Sequence, residues 1–326
     1  MKAVILAGGL GTRLRPLTCN VPKPMAPVVN RPILEHTLTL LQYHEIKDII
    51  MLLFYLPEYI RNHFGDGSKY GVKISYITPD QDYGTAGAVK QAESLIEDTF
   101  LVVSGDVITD LDISRFVKFH KEKKALLTMA LSHVDNPSPF GITFTDKKGR
   151  VSRFLEKPAW GQIFSDTVNM GIYVMEPKAL ELISKNKKYY FARDLFPKLL
   201  EERKPLFGYV SDCYWRDIGD LKTYQFVHWD WFDGKIKLEV KETFHEGVWL
   251  GKDCQIGKRV KIEGNVMLGD NCTIEDGVQL SNSVLGDNCR IGQNSFISKS
   301  ILWKNVNIEN NSELNQKVVG AGTQIG

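Results

Sequence analysis

From Val248 onward an aliphatic residue recurs every six positions: Leu250, Ile256, Ile262, Leu268, Ile274 and Leu280. The phase then shifts by one, giving Leu285, Ile291 and Ile297, and shifts again to Leu302, Ile308 and Leu314. An α-helix repeats at about 3.6 residues and a strand at about 2, so neither explains this period. It suits a solenoid whose coils have three flat faces, each with one inward aliphatic. Glycine or an acid often follows the aliphatic residue, as in Leu250-Gly251, Ile256-Gly257 and Leu268-Gly269. Ser283, Ser300 and Lys317 open segments at intervals of 17 residues.

The pattern resembles the hexapeptide left-handed β-helix. Cys254, Cys272 and Cys289 fall nearly one coil apart and read as a stacked ladder of small residues. The chain has five cysteines and no CxxC pair, which argues against a disulfide framework or a zinc site. The coil opened by Lys317 stops at Ile325-Gly326 with no capping segment in view. An uncapped or truncated solenoid is therefore expected, with homo-oligomerisation through the β-helix to cover the open edge.

The first two thirds alternate strand and helix signals. Lys2 to Ala7 is a short apolar run of the buried parallel type, and Ile33 to His44 has helical spacing. Asp48 to Phe54, Val72 to Thr78 and Thr99 to Ser104 read as further strands. Pro57 to Phe64, Thr85 to Glu97 and Leu221 to Phe232 read as helices. The predicted fold is α/β: a doubly wound, mostly parallel, Rossmann-like domain over residues 1–232, a linker over 233–247, and a β-helix over 248–326. Ligands in such sheets bind beyond the carboxyl ends of the strands, where Gly8 and Asp106 both lie.

Met1 to Leu34 contains no Asp or Glu but carries Lys2, Arg13, Arg15, Lys23 and Arg31. Within it, GGLGTRLRPLT runs from Gly8 to Thr18 directly after the first strand. Glycines there let a backbone approach phosphate and aim its N–H groups at it, and Arg13 adds a fork of charged donors. Neither GxGxxG nor GK[ST] is present. Pro22 and Pro24 flank Lys23 and are expected to hold it in an extended presentation. The overall net charge of +2 argues against a general nucleic-acid surface. The first apolar run is too short for a signal peptide, and no stretch reaches the roughly 20 apolar residues of a membrane span. A cytoplasmic enzyme is expected.

GGxGTRLxPLT followed by Pro22-Lys23-Pro24 resembles the signature of the nucleotidyltransferases that make sugar nucleotides. FGDGS (64–68), GTAGAVKQA (84–92), SGD (104–106), FLEKP (154–158), VNMGIY (168–173) and YWRDIGD (214–220) continue the likeness in order. With the β-helix, the chain is most similar to the mannose-1-phosphate guanylyltransferase branch. The resemblance implies a nucleotide site at Leu6, Ala7, Gly8, Gly9, Gly11, Thr12, Gly84, Thr85, Gly87 and Asp106. It implies a sugar-phosphate site at Gly141, Glu156, Lys157, Asn169, Gly171 and, by a looser match, Arg193. Arg13, Lys23 and Lys157 are the implied catalytic cations, and Asp106 and Asp217 the implied Mg²⁺ ligands. From the residues alone, Asp106 could instead cap a helix and Asp217 could pair with Arg216.

The expected reaction joins a sugar 1-phosphate, mannose 1-phosphate by resemblance, to GTP, giving GDP-mannose and pyrophosphate. The attacking phosphate has a second pKa near about 6 and is already ionised at neutral pH, so no general base is needed. Charge neutralisation and alignment carry such a reaction. Two readings compete with the guanylyltransferase: uridylyl or thymidylyl transfer to glucose 1-phosphate, and a non-catalytic regulatory subunit. An acetyltransferase role for the coils is disfavoured, since no histidine follows His245.

Overall fold

Lys2–Leu6 forms β1, whose central Ala3, Val4 and Ile5 are fully buried on both faces. A strand apolar on both sides must sit inside a covered sheet, and burying Val4 or Ile5 stabilises the fold by roughly 1.5–3 kcal/mol. A computed structural model describes the chain from Met1 to Gly326. Contacts divide it into two units: Met1–Leu10 with Thr37–Asp217, and Gly11–His36 with Ile218–Gly326. These cuts differ from the sequence segments, since residues 11–36 and 218–232 group with the coils.

The first unit is a nine-stranded mixed sheet. After β1, helix α1 (Ile33–Tyr43) leads to β2 (Asp48–Leu52), then α2 (Pro57–Phe64), β3 (Lys73–Ile77), α3 (Gly84–Gln91) and β4 (Phe100–Ser104). These strands stand in the order β3-β2-β1-β4, all parallel. The chain winds outward one way through β2 and β3, then crosses back to β4 on the other side of β1. The crevice between the ends of β1 and β4 is therefore the switch point, where doubly wound sheets bind ligands. Helix α3 is shorter than its periodicity suggests. It ends at Gln91, and a 3₁₀ turn, Glu93–Leu95, follows. Lys90 is drawn aside there to Glu93 and to the Leu180 carbonyl.

The rest of the unit adds β5 (Val107–Thr109), α4 (Ile113–Lys123), β6 (Leu127–His133), β7 (Gly141–Thr145), β8 (Val151–Glu156), β9 (Thr167–Met175), α5 (Phe196–Glu201), β10 (Leu206–Val210) and β11 (Trp215–Asp217). Strand β9 runs antiparallel to β4 and continues the sheet to β6 and β7. Its register against β6 breaks between Asn169 and Tyr173, where a bulge leaves the ladder. Bulges of this kind re-aim side chains near functional sites.

In the second unit, α6 (Leu221–Phe232) is capped by Asp220, whose carboxylate accepts from Thr223 N–H. The coils follow in parallel register, with Val248 opposite Val266, Val266 opposite Ser283 and Ile274 opposite Ile291. The inward aliphatics from Leu268 onward form one core with Cys272 and Cys289, with Leu250 and Ile262 packed against it, whereas Ile256 is exposed. The cysteines do stack, and each thiol donates to a carbonyl of the next coil: Cys254 to Gly269, Cys272 to Gly286 and Cys289 to Trp303. The glycines after the aliphatics also have a mechanical reason. A Cβ on Gly286 would stand 2.6 Å from Lys304 N and 2.9 Å from the Trp303 carbonyl carbon. Gly286→Ala is expected to lower stability by roughly 1–3 kcal/mol, because only rigid backbone could yield; urea unfolding measures it. Each corner also needs a left-handed residue, met at one by Asn271, Asn288 and Asn305 and at another by Gly277, Asn294 and Asn311.

Two histidines of this unit are buried. His36 Nε2 lies 2.9 Å from the Val28 carbonyl, and His228 Nδ1 lies 2.9 Å from the Tyr224 carbonyl. Burial pushes both down to about 4 from 6.5. The unfolded chain then binds protons that the folded one refuses. Stability is expected to fall as pH drops from 6.5 towards 4, by at most on the order of 3 kcal/mol per histidine. Urea midpoints at pH 7 and pH 4.5 check this, and equal midpoints would exclude it.

Candidate active site

Asp106 follows β4 by two residues. The turn is tight because Gly105 donates its N–H to the Leu6 carbonyl at 2.9 Å. A Cβ at Gly105 would also meet that oxygen at 2.9 Å. Ser104 Oγ donates to Asp106 Oδ1 at 2.7 Å, so the carboxylate is oriented by the strand end rather than by capping a helix. Asp217 arrives from β11, which pairs antiparallel with β5 and sets Asp217 opposite Val107. Asp106, in the turn just before β5, and Asp217, at the end of β11, thus come from adjoining positions. The guanidinium of Arg216, the residue before Asp217, lies over the Tyr214 ring at 5.5 Å.

Both aspartates line a cleft of about 420 Å³ in the first unit. Leu6, Thr85, Gly141, Glu156, Lys157, Asn169, Gly171 and Arg193 line it too. Strands β7 and β8 place Glu156 opposite Gly141. A Cβ at Gly141 would meet Glu156 Oε2 at 2.8 Å and Phe154 Cζ at 2.6 Å, so glycine makes room for both. Burial pushes the Glu156 carboxyl up, against the pull of the Lys157 and Arg193 cations beside it. Lys157 holds a left-handed backbone, φ 47°, and its N–H donates to the Phe140 carbonyl at 2.9 Å. Such a conformation costs a lysine roughly 1–2 kcal/mol.

Asn169 braces the bulge. Its Nδ2 donates to Tyr173 Oη at 2.9 Å, and its Oδ1 accepts from Gly171 N–H at 3.0 Å. Gly171 has φ 75° and sits against Ser104, which brings the bulge to the strand that carries Asp106. Trp215 Nε1 donates to the Met170 carbonyl at 3.0 Å and ties β11 to the same bulge. Arg193 projects from a π-turn, Phe191–Leu195, a conformation frequent at functional sites. Tyr190, Tyr173, Phe140 and Trp215 also line the cleft; Tyr173 and Trp215 fall within the VNMGIY and YWRDIGD segments, but the sequence assigns none of the four a role. The glycine and EKP motifs drew attention instead, and an aromatic between them reads as core.

The remaining expected residues sit elsewhere. Ala7 is buried, and Gly8 packs so closely that a Cβ would meet Phe54 Cβ at 2.9 Å. Gly9 has nothing within 4 Å of a Cβ position, so its backbone is open. Gly84 and Gly87 face the backbone of Tyr189 and Lys187. Gly11, Thr12, Arg13 and Lys23 belong to the second unit. Lys23 opens a 3₁₀ turn, Lys23–Met25, instead of extending, since Pro22 and Lys23 carbonyls accept from Met25 and Ala26. Arg13 is exposed, and its guanidinium lies 3.1–3.3 Å from a Cβ position at Gly219, so the two residues are close neighbours.

Asp106 and Asp217 supply hard oxygen donors from a turn and a strand end, and no third His, Cys, Asp or Glu joins them. That donor set fits Mg²⁺, which takes one or two carboxylates and fills its octahedron with water and phosphate oxygens. It does not suit a softer ion that needs a nitrogen or sulfur cage. No helix is long and apolar enough to cross a membrane.

A nucleotidyl transferase family model matches residues 2–231, and a model of the EIF2B subunit epsilon LbH domain matches residues 245–326. The chain is 36% identical over 301 residues to a UTP–glucose-1-phosphate uridylyltransferase of Synechocystis, covering 86% of this chain and 76% of the relative. It is 38% identical over 219 residues to a mannose-1-phosphate guanylyltransferase of Mycobacterium tuberculosis, covering 67% and 60% of the two chains. Among solved structures, HddC from Yersinia pseudotuberculosis complexed with GMP-PN superposes with a TM-score of 0.61 at 27% identity, over 71% of this chain and 99% of that one. A Rossmann-like first domain that ends each half of its switch point in a motif residue, followed by parallel left-handed coils, agrees with these matches. The chain belongs to the nucleotidyl transferase family.

Proposed function

We propose that the protein joins mannose 1-phosphate to GTP, releasing pyrophosphate and forming GDP-mannose. One observation carries the reading: a single cleft holds a carboxylate pair, Asp106 and Asp217, together with Glu156 and the cations Lys157 and Arg193. Two carboxylates suit a metal–triphosphate, while a carboxylate among cations suits a sugar bearing a phosphate. The Mycobacterium tuberculosis relative, a mannose-1-phosphate guanylyltransferase, supports the choice of guanine and mannose.

In this proposal Asp106 and Asp217 hold Mg²⁺, which supplies charge neutralisation on the triphosphate when bound. Ser104 keeps the Asp106 carboxylate oriented. Lys157 and Arg193 hold the sugar phosphate so that its ionised oxygen faces the α-phosphorus, with pyrophosphate leaving on the opposite side. Glu156 accepts hydrogen bonds from sugar hydroxyls, and the Asn169–Gly171 bulge shapes the wall around them. Arg13 and Lys23 are assigned to the triphosphate on their sequence motif. Gly8, Gly9, Gly11 and Thr12 are assigned there as backbone donors.

A second reading, uridylyl transfer to glucose 1-phosphate, is supported by the Synechocystis relative, whose likeness extends over 86% of this chain. A panel of nucleoside triphosphates against sugar 1-phosphates, followed by pyrophosphate release, separates the two. The proposal expects GTP with mannose 1-phosphate to give the highest kcat/KM. A maximum at UTP with glucose 1-phosphate would replace it with the second reading. No release with any pair would leave a binding subunit.

A further inference from the structure

The residues before Arg193 are fastened to the start of α3. Tyr189 N–H donates to the Tyr83 carbonyl at 2.9 Å, and the Tyr189 carbonyl accepts from Ala86 and Gly87 N–H at 3.0 and 2.9 Å. That carbonyl thus satisfies donors that the first turn of a helix leaves without partners. Close approach needs the glycines: a Cβ at Gly84 would stand 2.8 Å from the Tyr189 oxygen, and one at Gly87 3.0 Å from the Lys187 oxygen. Lys188 pairs with Asp82 at 2.8 Å, and Asp82 also takes the Gly84 N–H.

The π-turn itself begins with two donors held from outside its own ladder. Tyr190 N–H goes to Asp194 Oδ2 at 2.7 Å, and Phe191 N–H goes to Thr85 Oγ1 at 3.2 Å. Thr85 lines the cleft as well. One side chain therefore touches both the cleft and the first residue of the turn that presents Arg193.

We infer that Thr85 is a positioning residue for Arg193, so that the GTAG segment acts on the sugar-phosphate half of the site. The inference rests on the proposed role of Arg193 as a sugar-phosphate cation. Without its hydroxyl acceptor, Phe191 N–H loses its partner and the turn loosens. The docked 187–191 segment also makes the start of α3 and the Arg193 turn one mechanical piece.

The test uses the full chain and steady-state kinetics with both substrates varied. Thr85→Val is expected to raise KM for the sugar 1-phosphate roughly five-fold, the effect of losing one hydrogen bond, with KM for the triphosphate altered less than about two-fold. Thr85→Ser, which keeps the acceptor, is expected to restore it. Arg193→Ala should raise the same KM, and Thr85→Val should add little in that background, since both act through one group. An unchanged KM in Arg193→Ala would bring down the reading of Arg193 and the inference with it. A raised KM in Arg193→Ala beside an unchanged one in Thr85→Val would overturn the inference alone. An effect of Thr85→Val confined to the triphosphate would also overturn it, making Thr85 a nucleotide contact.

Discussion

Asp106→Asn and Asp217→Asn are each expected to cut kcat by roughly 10²-fold or more, about 2.7 kcal/mol of barrier, while the fold survives. The substitution removes a charge and little else. In Asp106→Asn the side-chain amide still offers an oxygen to Ser104, whose hydroxyl donates to Asp106 at 2.7 Å in the parent chain. Pairing of β5 with β11 uses backbone groups, so Asp217→Asn leaves the strands joined. What disappears is half of the anionic pair that suits a divalent cation. The deficit should therefore shrink as Mg²⁺ rises, because weaker binding is compensated by mass action. Turnover against Mg²⁺ concentration, beside far-ultraviolet circular dichroism, checks both parts. Near-normal turnover at limiting Mg²⁺ in either variant would remove that residue from the metal site.

Local signals carried much of the fold. The proline-opened α2 and the aromatic-rich α6 span the residues their spacing indicates. The six-residue period is a local signal repeated many times, and the coil core contains the aliphatics that define it except Ile256, which is 46% exposed in the first coil. Strand β9 is different. Its place depends on partners at 100–103, 127–133 and 142, which no window of sequence holds. Its bulge follows from those pairings and could not be read either. Motifs brought out Asp106, Glu156, Lys157 and Asp217 because charge stands beside glycine or proline in a recognisable order. Tyr190 and Trp215 are cleft residues without such punctuation. The glycines of GTAG were legible as important but not for what they touch, since the Tyr189 carbonyl lies over a hundred positions away.

Lys157→Ala is expected to lower kcat/KM for the sugar 1-phosphate by roughly 10- to 100-fold, the range for losing a charged hydrogen bond. KM for the triphosphate should change far less. The reverse bias is expected for Lys23→Ala, assigned to the triphosphate, and identical patterns in the two variants would end that division of labour. Lys23 is only 7% exposed, so its truncation also costs packing, and the comparison must be made on ratios of the two KM values. Lys157 allows a cleaner separation of function from stability. Its φ of 47° is strained for any residue with a Cβ but not for glycine. Lys157→Gly should therefore lose sugar-phosphate affinity as Lys157→Ala does, yet unfold no more easily than the parent chain, and by up to about 1 kcal/mol less easily. A structural lysine would behave otherwise, with both variants less stable and both KM values disturbed together. If Lys157→Gly proved less stable than Lys157→Ala, the left-handed backbone would not be the strain described. If it kept full kcat/KM for the sugar 1-phosphate, the side chain would not be the phosphate ligand.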